Sequence, residues 1–243
     1  MHREVYNWYS PHLNEEMRVA VYGHWGFALL LFPPDVSDYL EYERQGLIGA
    51  LTPMIDVGKV KVFCVSSVAG ESWLNQELPP AQRAMRQQQY NAYVIDEVVP
   101  FIVNQTSPET MIVAAGVSFG AFLAANTFFH RPDLFGGVIA MSGMYDIKLY
   151  ADGYYDGNCY FNNPVDYLPN LNDPALLDQL RSKTHIYLLS GKGDEETPEH
   201  SIQLAEILGA KGIPCHLDLW GEDIKHDWPT WRAMLPHVLS TRL

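Results

Sequence analysis

The sequence has little positive charge, few cysteines and no long apolar run. Each of these shortages argues against a particular class of function or site. It has 16 lysine and arginine residues against 29 aspartate and glutamate residues, for a net charge of −13. A protein that binds a phosphate backbone needs a basic face, so this balance argues against a nucleic-acid partner. No stretch is apolar over the length needed to span a bilayer, so we expect no membrane partner.

The three cysteines, Cys64, Cys159 and Cys215, are an odd and widely spaced set. Such a set forms neither a disulfide framework nor a zinc-ligand pattern. The first ten residues, MHREVYNWYS, lack the apolar run of a signal peptide, so we expect a cytoplasmic protein. Phosphate-loop, dinucleotide-binding and H-E-x-x-H motifs are also missing, so we expect no cofactor and no metal.

Strand-like and helical segments alternate along the 243 residues, which predicts one domain over residues 1–243. The predicted strands are REVYNWYS, EEMRVAVYG, GFALLLF, VKVFCVSSV, TMIVAAGVS, GGVIAMSG, HIYLLSG and CHLDLWG. The predicted helices are SDYLEYERQGLIGAL, AQRAMRQQQYNAYVIDEVVPFIVNQ, AFLAANTFFHR, SIQLAEILGAKG and WPTWRAMLPHVLS, with Pro100 ending or kinking the second. This order predicts an α/β fold whose central sheet is mostly parallel after antiparallel N-terminal strands.

One segment breaks the alternation, a Tyr- and Asn-rich excursion at about residues 150–174. Its content of Tyr, Asn, Asp, Gly and Pro predicts an ordered loop rather than a regular element.

The stretch MIVAAGVSFGAFLAAN changes from a strand pattern to a helix pattern at Ser118. Gly116 and Gly120 flank this serine, as a sharp strand-to-helix turn requires, because the turn leaves no room for side chains there. Such a turn exposes a nucleophilic hydroxyl at a helix N-terminus, where the amide of Phe119 can stabilise a developing oxyanion. Ser142 is a rival serine that lacks the paired glycines.

A nucleophilic serine needs a base, and His226 is the best placed of nine histidines. It follows the last predicted strand in a polar turn, GEDIKHDW, where it can reach the carboxyl edge of the sheet. The preceding strand is followed by GKGDEET, which supplies three candidate acids to orient the imidazole. Asp194 is the first choice, Glu196 the second and Glu195 the third.

GVSFGAF and the later KHDWPTW resemble the "Putative esterase", or esterase D-like, family of α/β-hydrolases. The resemblance covers nearly the whole chain and implies an α/β-hydrolase three-layer sandwich. It also implies that Ser118 is the nucleophile, His226 the base and Asp194 the acid. Trp228 and Trp231 would then pack the final helix under the histidine loop.

The sequence departs from this family after the strand GFALLLF, where many members carry His-Gly and use an amide for the oxyanion hole. Here Pro33 and Pro34 have no N–H to donate. The second oxyanion donor would therefore be Asp35 or Val36 or a side chain. We favour a backbone amide of Asp35 or Val36, while the side chain of Asp35, Ser37 or Asp38 caps the next helix.

Two loops could form the substrate pocket: SVAGESWLN, with Trp73, and the Tyr-rich excursion, with Tyr154, Tyr155 and Tyr160. The excursion equally suits a subunit interface in a homo-oligomer. The residues thus predict a serine hydrolase that cleaves a small-molecule carboxylic ester through an acyl-enzyme. Two alternatives stay open, an acyltransferase of the same fold and a non-catalytic hydrolase-like binding protein.

Overall fold

The structure, a computed structural model, describes residues 1–243, which form an eight-stranded sheet. The strands are β1 Arg3–Ser10, β2 Glu15–Tyr22, β3 Phe27–Phe32, β4 Val60–Val65, β5 Ile112–Val117, β6 Gly137–Met141, β7 His185–Ser190 and β8 His216–Leu219. All eight predicted strands are present.

The sheet order is β1-β2-β4-β3-β5-β6-β7-β8. The β1–β2 and β2–β4 pairs are antiparallel and the other pairs are parallel. The apolar runs of β3 and β5 lie side by side at the centre, with nearly every residue buried, as expected for strands covered on both faces. The predicted mixed α/β fold is confirmed.

Ten α-helices cover the two faces of the sheet. They are α1 Glu41–Arg44, α2 Leu47–Asp56, α3 Pro80–Tyr93, α4 Val99–Gln105, α5 Phe119–His130, α6 Gly157–Phe161, α7 Pro164–Asn170, α8 Pro174–Arg181, α9 Pro198–Ala210 and α10 Trp228–Thr241. Helices α2 and α10 pack in one apolar layer, and α3, α5 and α9 pack in the other. No helix has both the length and the apolar character needed to cross a membrane.

Two helix predictions need correction. The segment SDYLEYERQGLIGAL forms two helices because Gly46, with φ of 76°, interrupts it between α1 and α2. In the long second helix, the chain widens into a π-helical turn at Val94–Val98 and resumes as α4. Pro100 lacks the N–H that would bond to the Asp96 carbonyl and its ring crowds that carbonyl, which accounts for the wider turn.

The excursion is more regular than the sequence predicts, since it contains a 3₁₀ turn at Ile147–Tyr150 and helices α6 and α7. Asp156 caps α6 by accepting a hydrogen bond from the Cys159 amide at 2.8 Å. The buried Arg83 of α3 ties the excursion to the body of the protein. Its guanidinium donates to the Tyr150 carbonyl at 2.6 Å and pairs with Asp152.

Candidate active site

Ser118 lies in the sharp turn between β5 and α5, with φ of 55° and ψ of −123°. A side chain at Gly116 would overlap the backbone of Gly120, and one at Gly120 would overlap the carbonyl oxygen of Phe32. The two glycines therefore permit the close packing of strand, turn and helix that presents the serine. This strained geometry, held by close packing on both sides, is typical of a nucleophile elbow.

His226 lies in the loop between β8 and α10, and its Nε2 is 3.0 Å from the Oγ of Ser118. The ring packs edge-on against Trp231, with centroids 5.0 Å apart, and Trp231 in turn packs against Trp228. Asp227 begins α10 by accepting a hydrogen bond from the Thr230 amide at 3.0 Å. The final helix thus fixes the position of the imidazole.

The carboxylate beside His226 belongs to Glu196. Its Oε2 lies 3.5 Å from the Nδ1 of His226, and its side chain is 1% exposed. Asp194, the first choice from the sequence, has a side chain that is 78% exposed and pairs with Lys225 at 2.9 Å. The backbone carbonyl of Asp194 accepts a hydrogen bond from the His226 amide at 3.2 Å. Glu195 is exposed to solvent, and its backbone has the left-handed conformation, with φ of 65°.

Two serines hold Glu196 in place. Ser142 donates to Oε1 at 2.6 Å and Ser190 donates to Oε2 at 3.2 Å. Ser142 itself accepts a hydrogen bond from the Nε1 of Trp231 at 3.1 Å. Burial raises the pKa of Glu196, but the hydrogen bonds from His226 and Ser142 outweigh it, so the net pKa is lowered and the carboxylate stays ionised.

The sequence predicts no role for Ser190 and indicates Ser142 only as a rival nucleophile. The available signal was the position of each serine at or just after the carboxyl end of β6 or β7, the two strands that follow the nucleophile strand in the sheet. Ser142 also has φ of 51°, a conformation that is uncommon for residues other than glycine. Its backbone is therefore bent so that the hydroxyl reaches the carboxylate.

The loop with Glu196 and the loop with His226 are packed together through backbone atoms. The amide of Gly193 donates to the carbonyl of Ile224 at 2.9 Å. A side chain at Gly191 or Gly193 would collide with that same carbonyl. The glycines of the GKGD segment therefore allow the acid and base loops to approach each other.

Three backbone amides predicted for the oxyanion hole have no hydrogen-bond partner within the protein: those of Phe119, Asp35 and Val36. Phe119 is the first residue of α5, where the amide is unpaired in any helix. The Asp35 carboxylate accepts a hydrogen bond from the Ser37 hydroxyl. The expected side-chain cap is absent: Leu40 is the N-cap residue of α1, and Asp38 accepts from the Leu40 amide at 2.8 Å just before the helix.

The four aromatic residues predicted for the substrate pocket are engaged elsewhere. Trp73 is completely buried, Tyr154 donates to Asp156 at 2.9 Å, Tyr155 donates to Asp166, and Tyr160 packs against Phe161. None of them has a hydrogen bond or ring contact with Ser118, Phe119 or His226. Tyr150, which the sequence analysis did not single out, contacts the Phe119 ring edge-on at 5.9 Å.

Comparisons with known proteins identify the family and the fold of this chain. The family model described as "Putative esterase" matches residues 55–241. A solved ferulic acid esterase is 17% identical, with 98% of this chain and 96% of that chain covered and a TM-score of 0.75. No curated protein shows significant similarity to the sequence.

Two S-formylglutathione hydrolases share the fold. The enzyme from Staphylococcus aureus is 17% identical, covers 99% of this chain and 98% of its own, and has a TM-score of 0.66. The enzyme from Agrobacterium tumefaciens is 13% identical, with 98% of this chain and 93% of that chain covered, and has a TM-score of 0.71. With the family match over most of its length, the chain belongs to the "Putative esterase" family of α/β-hydrolase fold and is a carboxylic ester hydrolase.

Proposed function

We propose that the protein cleaves a small-molecule carboxylic ester with Ser118 as nucleophile, His226 as general base and Glu196 as the acid that orients the imidazole. The observation that carries the proposal is the 3.0 Å approach of His226 Nε2 to Ser118 Oγ at a strained elbow. Glu196 replaces Asp194 in this proposal, because the buried carboxylate faces His226 Nδ1 whereas the Asp194 side chain points to solvent.

The acyl step follows from these positions. A proton on His226 Nδ1, directed at Glu196, leaves Nε2 free to accept the proton of the Ser118 hydroxyl. Ser118 Oγ then bonds to the ester carbonyl carbon, and the C–O bond to the alcohol breaks as His226 returns its proton to the leaving oxygen. Water attacks the acyl-enzyme in the same way, releasing the acid and restoring Ser118.

The oxyanion would be stabilised by the amide of Phe119 and by one amide from the loop at Asp35 and Val36. Support comes from the absence of any protein partner for these amides. Phe119 also lies at the positive end of the α5 dipole. One such donor is typically worth about 3 kcal/mol of barrier, so Pro33 and Pro34 need not abolish activity if the next amides serve instead.

The acyl or alcohol group of the ester would lie near Phe119 and Tyr150. These two rings pack against each other next to the nucleophile, and the start of the excursion carries one of them. An apolar or aromatic acyl chain fits this contact better than a charged one, since a net charge of −13 slows the approach of anionic esters.

A fluorophosphonate probe tests the proposal directly. It should label the wild type at Ser118, and neither Ser118→Ala nor His226→Ala should be labelled. Ser118→Ala should lower kcat on p-nitrophenyl esters by about 10⁴-fold or more, as loss of the nucleophile does in serine hydrolases. Labelling that persists in Ser118→Ala, or no labelling of a folded wild type, would contradict the assignment. Products formed with added alcohols separate hydrolysis from acyl transfer.

The cellular setting is also a proposal. All three cysteines are free thiols, two of them buried, which suits a reducing cytoplasm. The acidic charge supports a role without nucleic acid. The predictions of a single domain and of a homo-oligomer stay open, and sedimentation at two protein concentrations would test the oligomer.

A further inference from the structure

A cleft separate from Ser118 lies on the side of the sheet that α3 and α5 cover. It has a volume of about 430 Å³, within the range of small-molecule sites, and its walls come from α3, the π-helical turn, α5 and α6. Asn126 in its wall follows Ser118 by eight residues, which is about 12 Å along α5 at 1.5 Å per residue. The cleft does not include Ser118, His226 or Glu196. We refer to it as the amide cleft because of the side chains described next.

Four amide side chains line the cleft: Gln88, Asn91, Asn126 and Asn158. Three of them bond to Asn162, which is completely buried, whereas Asn158 bonds to it only through its backbone carbonyl. Asn162 Oδ1 accepts from Asn91 at 2.7 Å and from Asn126 at 3.0 Å, and its Nδ2 donates to Gln88 at 3.3 Å. Three of the four amides, those of Gln88, Asn91 and Asn126, are therefore oriented by Asn162.

The hydrogen bonds of the network are incomplete. Asn126 is 1% exposed, and its Oδ1 has no hydrogen-bond partner. The side chain of Asn158 and the Nε2 of Gln88 also have no partner within the protein. An unsatisfied buried acceptor costs about 1–3 kcal/mol, so helix packing alone does not account for Asn126.

The π-helical turn, which Pro100 accounts for, also contributes to the cleft. It places Ile95 and Asp96 in the wall of the cleft, and such turns are frequent at functional sites. Ala92, Ile95 and the half-exposed ring of Phe161 give the cleft apolar surface beside the amides.

The charged groups around the cleft are already paired. The Arg131 guanidinium bonds to Asp133 through two nitrogens, at 2.9 and 2.7 Å. Asp96 lies 3.2 Å from His12. His130 directs Nε2 at the Phe161 carbonyl, and burial lowers its pKa, which keeps the ring neutral. No free cation is left for an anion, and the protein carries a net charge of −13.

We propose that the amide cleft is a binding site for a neutral saccharide, separate from the esterase centre. An amide both donates and accepts, which matches hydroxyl groups that do the same on adjacent carbons. The apolar surface formed by Ala92, Ile95 and Phe161 suits the C–H face of a sugar ring. The inference does not depend on the proposed function, since it concerns binding and not turnover.

Saturation-transfer NMR and calorimetry with xylose, arabinose, glucose and galactose test this directly. At least one sugar should bind wild type and Ser118→Ala alike with a Kd of about 1 mM or tighter. Ala92→Trp, which fills the cleft, and Gln88→Ala, which removes an open donor on an exposed side chain, should each weaken binding at least about 10-fold, or 1.4 kcal/mol. Gln82→Ala, an exposed change on α3 outside the cleft, is the matched control and should bind as wild type does.

Three results would overturn the proposal. They are no saccharide binding up to about 10 mM, binding that Gln88→Ala and Ala92→Trp leave unchanged, and tighter binding of inorganic phosphate than of any sugar. Gln88→Ala keeps the test valid if Ala92→Trp does not fold. Fluorophosphonate labelling is scored separately, so a failure of the amide cleft and a failure of the esterase assignment are distinguishable.

Discussion

The loops around Ser118 and the amide cleft both contain buried polar side chains. The two regions differ in how completely these side chains are hydrogen-bonded. Both oxygens of Glu196 accept hydrogen bonds, and Ser142 both donates and accepts. In the amide cleft, Asn126 Oδ1 is left without a partner. A satisfied network fixes one geometry, as proton transfer requires, whereas the amide network keeps unpaired groups, among them the Nε2 of the exposed Gln88, that a ligand can bind.

The largest expected effect separates the two carboxylates near His226. Glu196→Gln should lower kcat by about 10²- to 10⁴-fold, because the imidazole loses its charged partner. Asp194→Asn should change kcat by less than about 3-fold, because an exposed ion pair contributes little. Steady-state kinetics on one p-nitrophenyl ester check both. If Asp194→Asn is the more damaging change, the acid has been misassigned. Sugar binding in the amide cleft should be the same in both variants.

An intermediate effect is expected at Ser142. Ser142→Gly removes the hydroxyl and fits φ of 51° without strain, so any loss of activity reports the hydrogen bond and not the backbone. We expect kcat to fall about 10-fold, at the lower end of what a hydrogen bond to a charged group contributes.

The pH profile distinguishes positioning by Ser142 from a merely structural role. Glu196 loses a donor that lowers its pKa, so the acid limb of kcat/KM should move to higher pH. Ser142→Asn, which tolerates the same backbone and can donate, should restore part of the activity. An unchanged acid limb would show that Ser142 does not act through Glu196.

The smallest effect is on stability. The pKa of Glu196 is lower in the folded protein than the value of about 4.3 in an unfolded chain. Its ionised form therefore stabilises the fold above that value, and this contribution is lost as the pH falls through the folded-state pKa. Urea unfolding at several pH values should show that acid destabilises the wild type more than it destabilises Glu196→Gln. If the free energy of unfolding falls equally with decreasing pH in the two proteins, the lowered pKa of Glu196 is contradicted.

The strands and two site residues follow from the sequence because their signals are local. Alternating apolar segments give all eight strands, and the spacing of Gly116, Ser118 and Gly120 fixes the elbow. His226 follows from chain order, since the last strand of the sheet delivers its loop to the carboxyl edge.

The acid could not be chosen in this way. Asp194 and Glu196 lie two residues apart in one turn, and the left-handed conformation of Glu195 lies between them. Glu196 reaches His226 because Ser142 and Ser190, at the ends of two other strands, hold its carboxylate. No local sequence pattern encodes these hydrogen bonds. The amide cleft was missed for a similar reason, because its residues come from three helices distant in sequence.

The buried Arg83 has a consequence for turnover. Lifting the excursion as a lid would break the bonds of the Arg83 guanidinium to Tyr150 and Asp152. The Leu78 carbonyl would then be left to pair a buried charge without a carboxylate, which is costly. The mouth above Ser118 is thus expected to keep one shape throughout the cycle. Raising solvent viscosity with glycerol should then leave kcat nearly constant, unlike in hydrolases that wait for a flap to open.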